Sequence, residues 1–166
     1  MKTALISGLA LYAVLSAGAA NAQEAVVAAA NPDALFTSPD SRLNANKQAA
    51  YHIIKDLLGA GHWEMADRWL TADYHQHNPL AASGRAGVVN FFTQILKVKP
   101  TPIPDRLSAP IAGVVAEGDY VVVAYVRPIA KPGGAAYTST WFDMWRFKDG
   151  KADEHWDIAT KDSPMP

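Results

Sequence analysis

The chain has 166 residues, with 15 Lys and Arg against 16 Asp and Glu and a formal net charge of −1 at pH 7. With no block of like charge, it lacks the electrostatic footprint of a nucleic-acid or anionic-membrane binder. It contains no Cys, which excludes a disulfide framework, and its length is that of one ordinary domain able to bury a real core.

The opening residues, MKTALISGLALYAVLSAGAANAQE, place one charge, Lys2, before a mostly apolar run from Ala4 to Leu15 and end in Ala20-Asn21-Ala22. This is the three-part pattern of a secretory signal cleaved after Ala22. The run is too short, and too diluted by Gly and Ser, for the roughly 20 residues of a membrane span. Residues 1–22 are therefore expected to be a signal peptide, giving a periplasmic or secreted protein with no membrane contact after cleavage. Residues 23–40 are Ala-rich with two Pro and no sustained period, and are expected to form a flexible leader. The domain is expected over residues 41–162.

Ala49, Ala50, Ile53, Ile54, Leu57 and Leu58 recur at helical spacing and predict a first helix over Leu43 to Leu58, capped by Ser41 or Asn44 and ended by Gly59 and Gly61. A second is expected from His62 to Thr71. Asn78-Pro79 forbids helix, so Ala72 to Leu80 reads as an extended piece. A third helix starts at Ser83-Gly84 and carries Val88, Phe91, Phe92 and Ile95 on one stripe. After the Pro-rich loop Lys97 to Asp105, the chain reads as strands: Leu107 to Glu117, Tyr120 to Arg127, Tyr137 to Phe147 and Ala152 to Ala159. Lys131-Pro132-Gly133-Gly134 separates the second strand from the third. The expected class is α+β, with three N-terminal helices packed on a curved, mainly antiparallel sheet.

The last hairpin decides which titratable residues meet. A two-residue Asp149-Gly150 turn sets Lys148 against Lys151 and puts Asp143 and His155 on different faces. A three-residue loop, with Gly150 as a left-handed bulge, sets Asp143 opposite His155 and Trp141 opposite Asp157. One face then holds Trp141, Asp143, Trp145, His155 and Asp157, and the other holds Phe142, Met144, Trp156 and Ile158 beside a possible Arg146–Glu154 pair. The three-residue loop sorts the residues better and is the expected register, since a one-residue slip exchanges every side chain between faces.

Asp157 and Asp143 are carboxylates among tryptophans, the setting in which desolvation makes a useful base. His155, two residues before Asp157, points the same way along a strand. His75 and His77 with His155 and Asp157 form a permissible zinc or iron set by residue type, but spacing does not show convergence, and no metal is expected. His77 is expected to hydrogen-bond at a pocket rim and His75 to be exposed, while His52 and His62 read as structural. No Gly-rich phosphate loop follows a strand, and no Ser or Cys occupies a nucleophile elbow.

Tyr74 with Gln76-His77-Asn78-Pro79, Gly118-Asp119 leading into Val121-Val122-Val123, Asp143 with Arg146, Asp149-Gly150-Lys151, and Glu154-His155-Trp156-Asp157 together resemble the SnoaL-like group of the nuclear transport factor 2-like superfamily. The resemblance runs from Asn46 to Ile158. It implies a cone-shaped fold with a deep pocket between helices and sheet, a homodimer through the outer sheet face, and aldol chemistry without a cofactor by an aspartate base. Ketosteroid isomerases and dehydratases share the scaffold. The sequence departs from that pattern in its export signal and at Ala124, where many relatives carry His.

The expected function is a cofactor-independent enzyme of aldol, retro-aldol, isomerase or lyase type, acting on a hydrophobic, oxygenated small molecule. Asp157 is the expected base, His155 or Asp143 the acid and orienting partner, and His77 with Asn78 the holders of the developing oxyanion. Trp141 and Tyr74 are expected to shape the pocket. The alternative is a periplasmic binding protein that uses the same pocket without chemistry.

Overall fold

The computed structural model of the protein describes residues 24–130 and 133–163. The expected signal peptide, and Lys131-Pro132 of the expected loop, lie outside the described residues. Helix α1 spans Ser41–His52. Its cap is Asp40, one residue earlier than expected, whose carboxylate accepts the Leu43 N–H at 2.8 Å. The helix widens into a π-helical turn, Ile53–Gly59, and stops where Gly61 takes φ +77°. A Cβ there would lie 2.9 Å from Val98 Cγ1, so only Gly fits.

Helix α2 is short: a 3₁₀ turn, Trp63–Met65, runs into Ala66–Trp69. It does not reach Thr71, because Leu70 already opens strand β1, Leu70–Gln76. Pairing with β5, in which Leu70 faces Ala152, outweighs the helical spacing that carried the expectation onward. Helix α3, Arg85–Asn90, also ends in a π-helical turn, Phe91–Ile95. The remaining strands are β2 (Ile111–Glu117), β3 (Tyr120–Ile129), β4 (Tyr137–Lys148) and β5 (Lys151–Asp157).

The strands form one sheet in the order β1-β5-β4-β3-β2. All neighbours are antiparallel except β1, which pairs parallel with β5 at the edge. The α+β class holds, with the helices on the inner face of a cone-shaped sheet. Ala50, Ile53 and Leu57 of the first helical arm pack with Val121, Val123, Trp145 and Ala152 of the strands in the buried core. Val115 and Phe142 are among the exposed apolar residues. Among the described residues, no helix is long and apolar enough to cross a membrane.

The segment expected to be a flexible leader is tied down from Val26 onward. The Val26 N–H donates to Thr138 Oγ1 at 2.7 Å, and the Ala29 N–H donates to the Ile111 carbonyl at 2.7 Å. A 3₁₀ turn, Asp33–Phe36, then delivers Phe36 into the core with no exposed surface. Lys47 and Gln48 of α1 donate to the carbonyls of Leu35 and Phe36 at 3.0 and 2.9 Å. One large apolar side chain, burying its ring edge-on to Tyr51, offsets the ordering of a segment whose composition reads as mobile.

The final hairpin corrects the expected register. The turn is two residues: Asp149 and Gly150 both have positive φ, +51° and +75°, and Lys148 faces Lys151. These are the backbone angles of a type I′ turn. The ladder then slips between Arg146 and Phe147, so that Phe147 faces Ala152 but Arg146 faces Glu154. Asp153 is the extra residue of a β-bulge. Beyond it Asp143 faces Asp157 and Trp145 faces His155, a pairing that neither expected loop produces. The bulge nonetheless restores the expected sorting, with Asp143, Trp145, His155 and Asp157 on the inner face. Arg146 holds it: its Nε and Nη2 donate to Asp153 at 3.0 and 2.9 Å, and Nη1 lies 2.7 Å from Glu154.

Candidate active site

The inner face of β4 and β5 forms the floor of a hollow of about 310 Å³. Both π-helical turns contribute walls: the first presents Ile53, Leu57 and Leu58, and the second Phe91 and Phe92. The wider turn advances each residue by less than 100°, which lets near neighbours face one cavity. Trp63 stacks on Phe92 at 4.0 Å. Into this apolar space open Asp143, His155 and Asp157.

Asp143 is 8% exposed and His155 7% exposed. Asp143 Oδ1 accepts the Trp141 indole N–H at 2.9 Å and lies 3.4 Å from His155 Nε2. The other ring nitrogen, Nδ1, is 2.7 Å from Gln76 Oε1. That same Oε1 accepts the Asn78 backbone N–H at 3.3 Å, so it is the carbonyl end of the amide and His155 Nδ1 must be its donor. Nε2 is thereby left facing the Asp143 carboxyl group.

Asp157 is held differently. Its Oδ2 accepts Asn78 Nδ2 at 2.6 Å and its Oδ1 the Ala159 N–H at 2.8 Å. The Asn78 carbonyl oxygen accepts the Leu80 N–H at 2.8 Å, an Asx turn that fixes the direction of the amide. Each oxygen of Asp157 thus accepts one N–H, while Asp143 beside it faces an imidazole.

Tyr74 is buried in the same wall, its ring parallel to His155 at 6.4 Å. Burial pushes its phenol far above the ordinary value, with Asp143 and Asp157 adding to the rise and an indole hydrogen bond from Trp145 opposing it. Tyr125 is likewise raised, first by burial and then by Asp143. Its hydroxyl is enclosed near that carboxylate without a hydrogen bond of ordinary geometry.

Tyr74, Trp141, Asp143, His155 and Asp157 all line the hollow. His77 does not. Along β1 and its continuation the inward positions alternate as Tyr74, Gln76 and Asn78, which leaves His75 and His77 outward. His77 stacks on Trp156 at 5.0 Å and pairs with Glu154 at 2.8 Å on the outer face. It cannot hold a substrate oxygen in the hollow. The set of His75, His77, His155 and Asp157 is not assembled either, since the sheet separates it. Asn78 is not among the residues that line the hollow, and its amide nitrogen donates to Asp157 instead. Gln76 is the residue that sequence reasoning passed over, although period two from Tyr74 points to it.

Asp143, His155 and Asp157 each offer one ligand atom, all within 4.8 Å of one another. Two carboxylates and an imidazole suit a divalent cation, and Gln76 on Nδ1 is the outer partner such a ligand takes. The same geometry serves acid–base work without a metal.

Residues 51–155 match the family model described as the SnoaL-like domain. A candidate SnoaL-like polyketide cyclase from Jannaschia sp. CCS1 is similar at 18% identity over 74% of this chain and 91% of its own, with a TM-score of 0.52. An NTF2-like protein of unknown function from Burkholderia pseudomallei is similar at 17% identity over 70% and 91%, with a TM-score of 0.50. A cystatin-like-fold protein of unknown function from Xanthomonas campestris is similar at 18% identity over 70% and 91%, also at 0.50. At these identities the likeness is one of fold. No curated protein matches the sequence.

Proposed function

The chain belongs to the SnoaL-like domain family, and on that footing we propose that it is a cofactor-independent enzyme of aldol, retro-aldol, isomerase or lyase type. Its substrate is a hydrophobic small molecule with a carbonyl or hydroxyl group. What carries this reading is the convergence of Asp143, His155 and Asp157 within 4.8 Å of one another in an apolar hollow. The similar Jannaschia protein is described as a candidate polyketide cyclase, an activity of the same broad class.

Asp157, held as an acceptor by Asn78 and Ala159, takes the proton from the carbon beside the substrate carbonyl. The electron pair moves toward the carbonyl oxygen. His155, its Nε2 3.4 Å from Asp143, meets the developing charge when that nitrogen carries a proton, a role first expected of His77 with Asn78. Gln76 keeps the Nδ1–H tautomer fixed so that Nε2 always faces the reaction. The apolar walls exclude water and strengthen each of these interactions.

The test is turnover of a panel of aryl β-hydroxy ketones in the presence of a chelator, read by enone formation as loss of the α-proton expels the β-hydroxyl as water. Asp157→Asn, nearly the same shape, is expected to lower kcat/KM by about 10²–10⁴. Wild-type rates in Asp157→Asn sink the assignment. Binding of the panel without turnover in the wild-type protein favours a passive pocket, and turnover lost to the chelator favours a metal at the same three residues.

A further inference from the structure

A second hollow, of about 470 Å³, lies against the first and shares Leu58, Trp141 and Asp143 with it. Its other walls include Ile54, Pro110 and Val126, with Arg127 as the one cationic residue among the described residues that line it. Arg42, Arg85 and Arg146 each have an oxygen partner. Among the described residues Arg127 has none: its guanidinium sits 4.6 Å over the Trp141 ring. A half-buried guanidinium offers five N–H donors in a fixed fork, and an apolar wall satisfies none of them.

We propose that this second hollow is the subsite for the carboxylate end of an apolar acid, with Arg127 gripping the carboxylate. This names the substrate class of the reaction proposed above and rests on that reading for the catalytic end. The sheet sets the spacing. Asp143 faces Val123 on β3 and Arg127 lies four residues further along, about 13 Å at 3.3–3.4 Å per residue. Trp141 stands between them, its indole N–H on Asp143 and its ring under Arg127. An anion is attracted at the Arg127 end and repelled at the Asp143 end. A ligand therefore enters in one orientation, its carboxylate on Arg127 and its reactive, uncharged end at Asp143 and His155.

Isothermal titration of the mature protein with 4-phenylbutyrate and with the neutral 4-phenylbutyramide tests this without any turnover. The wild-type protein is expected to prefer the acid roughly tenfold, the scale of a charge-assisted fork. Arg127→Gln is expected to bring the acid down to the affinity of the amide, and Arg127→Lys, which keeps the charge but not the fork, to fall between. Equal affinities in the wild-type protein, or a preference that survives Arg127→Gln, overturns the proposal. The wild-type comparison decides it alone should a variant not fold. An acid preference in a protein whose turnover is indifferent to Asp157→Asn removes the enzymatic reading and leaves the subsite. Loss of turnover in Asp157→Asn with no acid preference does the reverse.

Discussion

His62 shows how much a single side chain reveals once both of its ring nitrogens are placed. Nδ1 is 2.6 Å from Glu64 Oε1 and Nε2 is 2.8 Å from the Thr101 carbonyl. Both partners accept, so the ring is favoured as a cation, and its pKa is raised from 6.5 chiefly by Glu64 and then by Thr101. Glu64 is lowered from 4.5 by the same bond. A raised imidazole contributes stability fully below pH 6.5 and loses it as pH rises through the raised value; a lowered carboxylate contributes above pH 4.5 and loses it as pH falls through the lowered value. The clip between the helical arm and the Pro-rich loop is thus complete between those two pH values. An NMR titration should find His62 above its ordinary range and Glu64→Gln should bring it down; a His62 that titrates normally in the wild-type protein refutes the pairing. At this scale the sequence singles out Asp143, His155, Asp157, Tyr74 and Trp141 as candidates. Gln76 and Arg127 escape it because an amide and a guanidinium carry no signal until their partners, or lack of them, are visible.

At the scale of elements, the helices and strands were largely legible, and the failures have physical causes. Apolar spacing suits Trp69-Leu70 equally to a helix or a strand, and the pairing of β1 with β5 decides for the strand. The last hairpin was misread in its turn yet sorted correctly in its faces. Asp149-Gly150 carries the signal of a tight turn, but nothing local marks Asp153 as a bulge, since the group that pins it is Arg146 across the ladder. The turn itself is testable. Gly150 has φ +75° with open space around its Cβ position, so Gly150→Ala acts through the backbone alone and should cost about 1–2 kcal/mol in urea denaturation. No change in the midpoint means that the turn is not type I′ in solution.

For the molecule as a whole, the lesson lies in the segment before α1. Composition describes Gln23 to Asp40 as leader, and composition cannot weigh one aromatic ring. Phe36 is completely enclosed, with its flanking carbonyls held by Lys47 and Gln48. Phe36→Ala should lower stability by about 3–5 kcal/mol, read as a fall in the urea midpoint. A loss under 1 kcal/mol would show that the segment is detached in solution and that the domain begins at α1. The cone closes over the hollow only because this strap, the helices and the sheet share one core.

The bulge at Asp153 also bears on how chain length can drift near the site. It is a spare residue, so the stretch from Lys151 to Glu154 can shed one amino acid by straightening and still present imidazole and carboxylates to the interior. A second loss has no slack to draw on: it inverts the strand and carries His155 and Asp157 out into water. Viable length variants of this stretch should therefore be one residue shorter or unchanged, and two-residue deletions should fold, if at all, with an empty chamber.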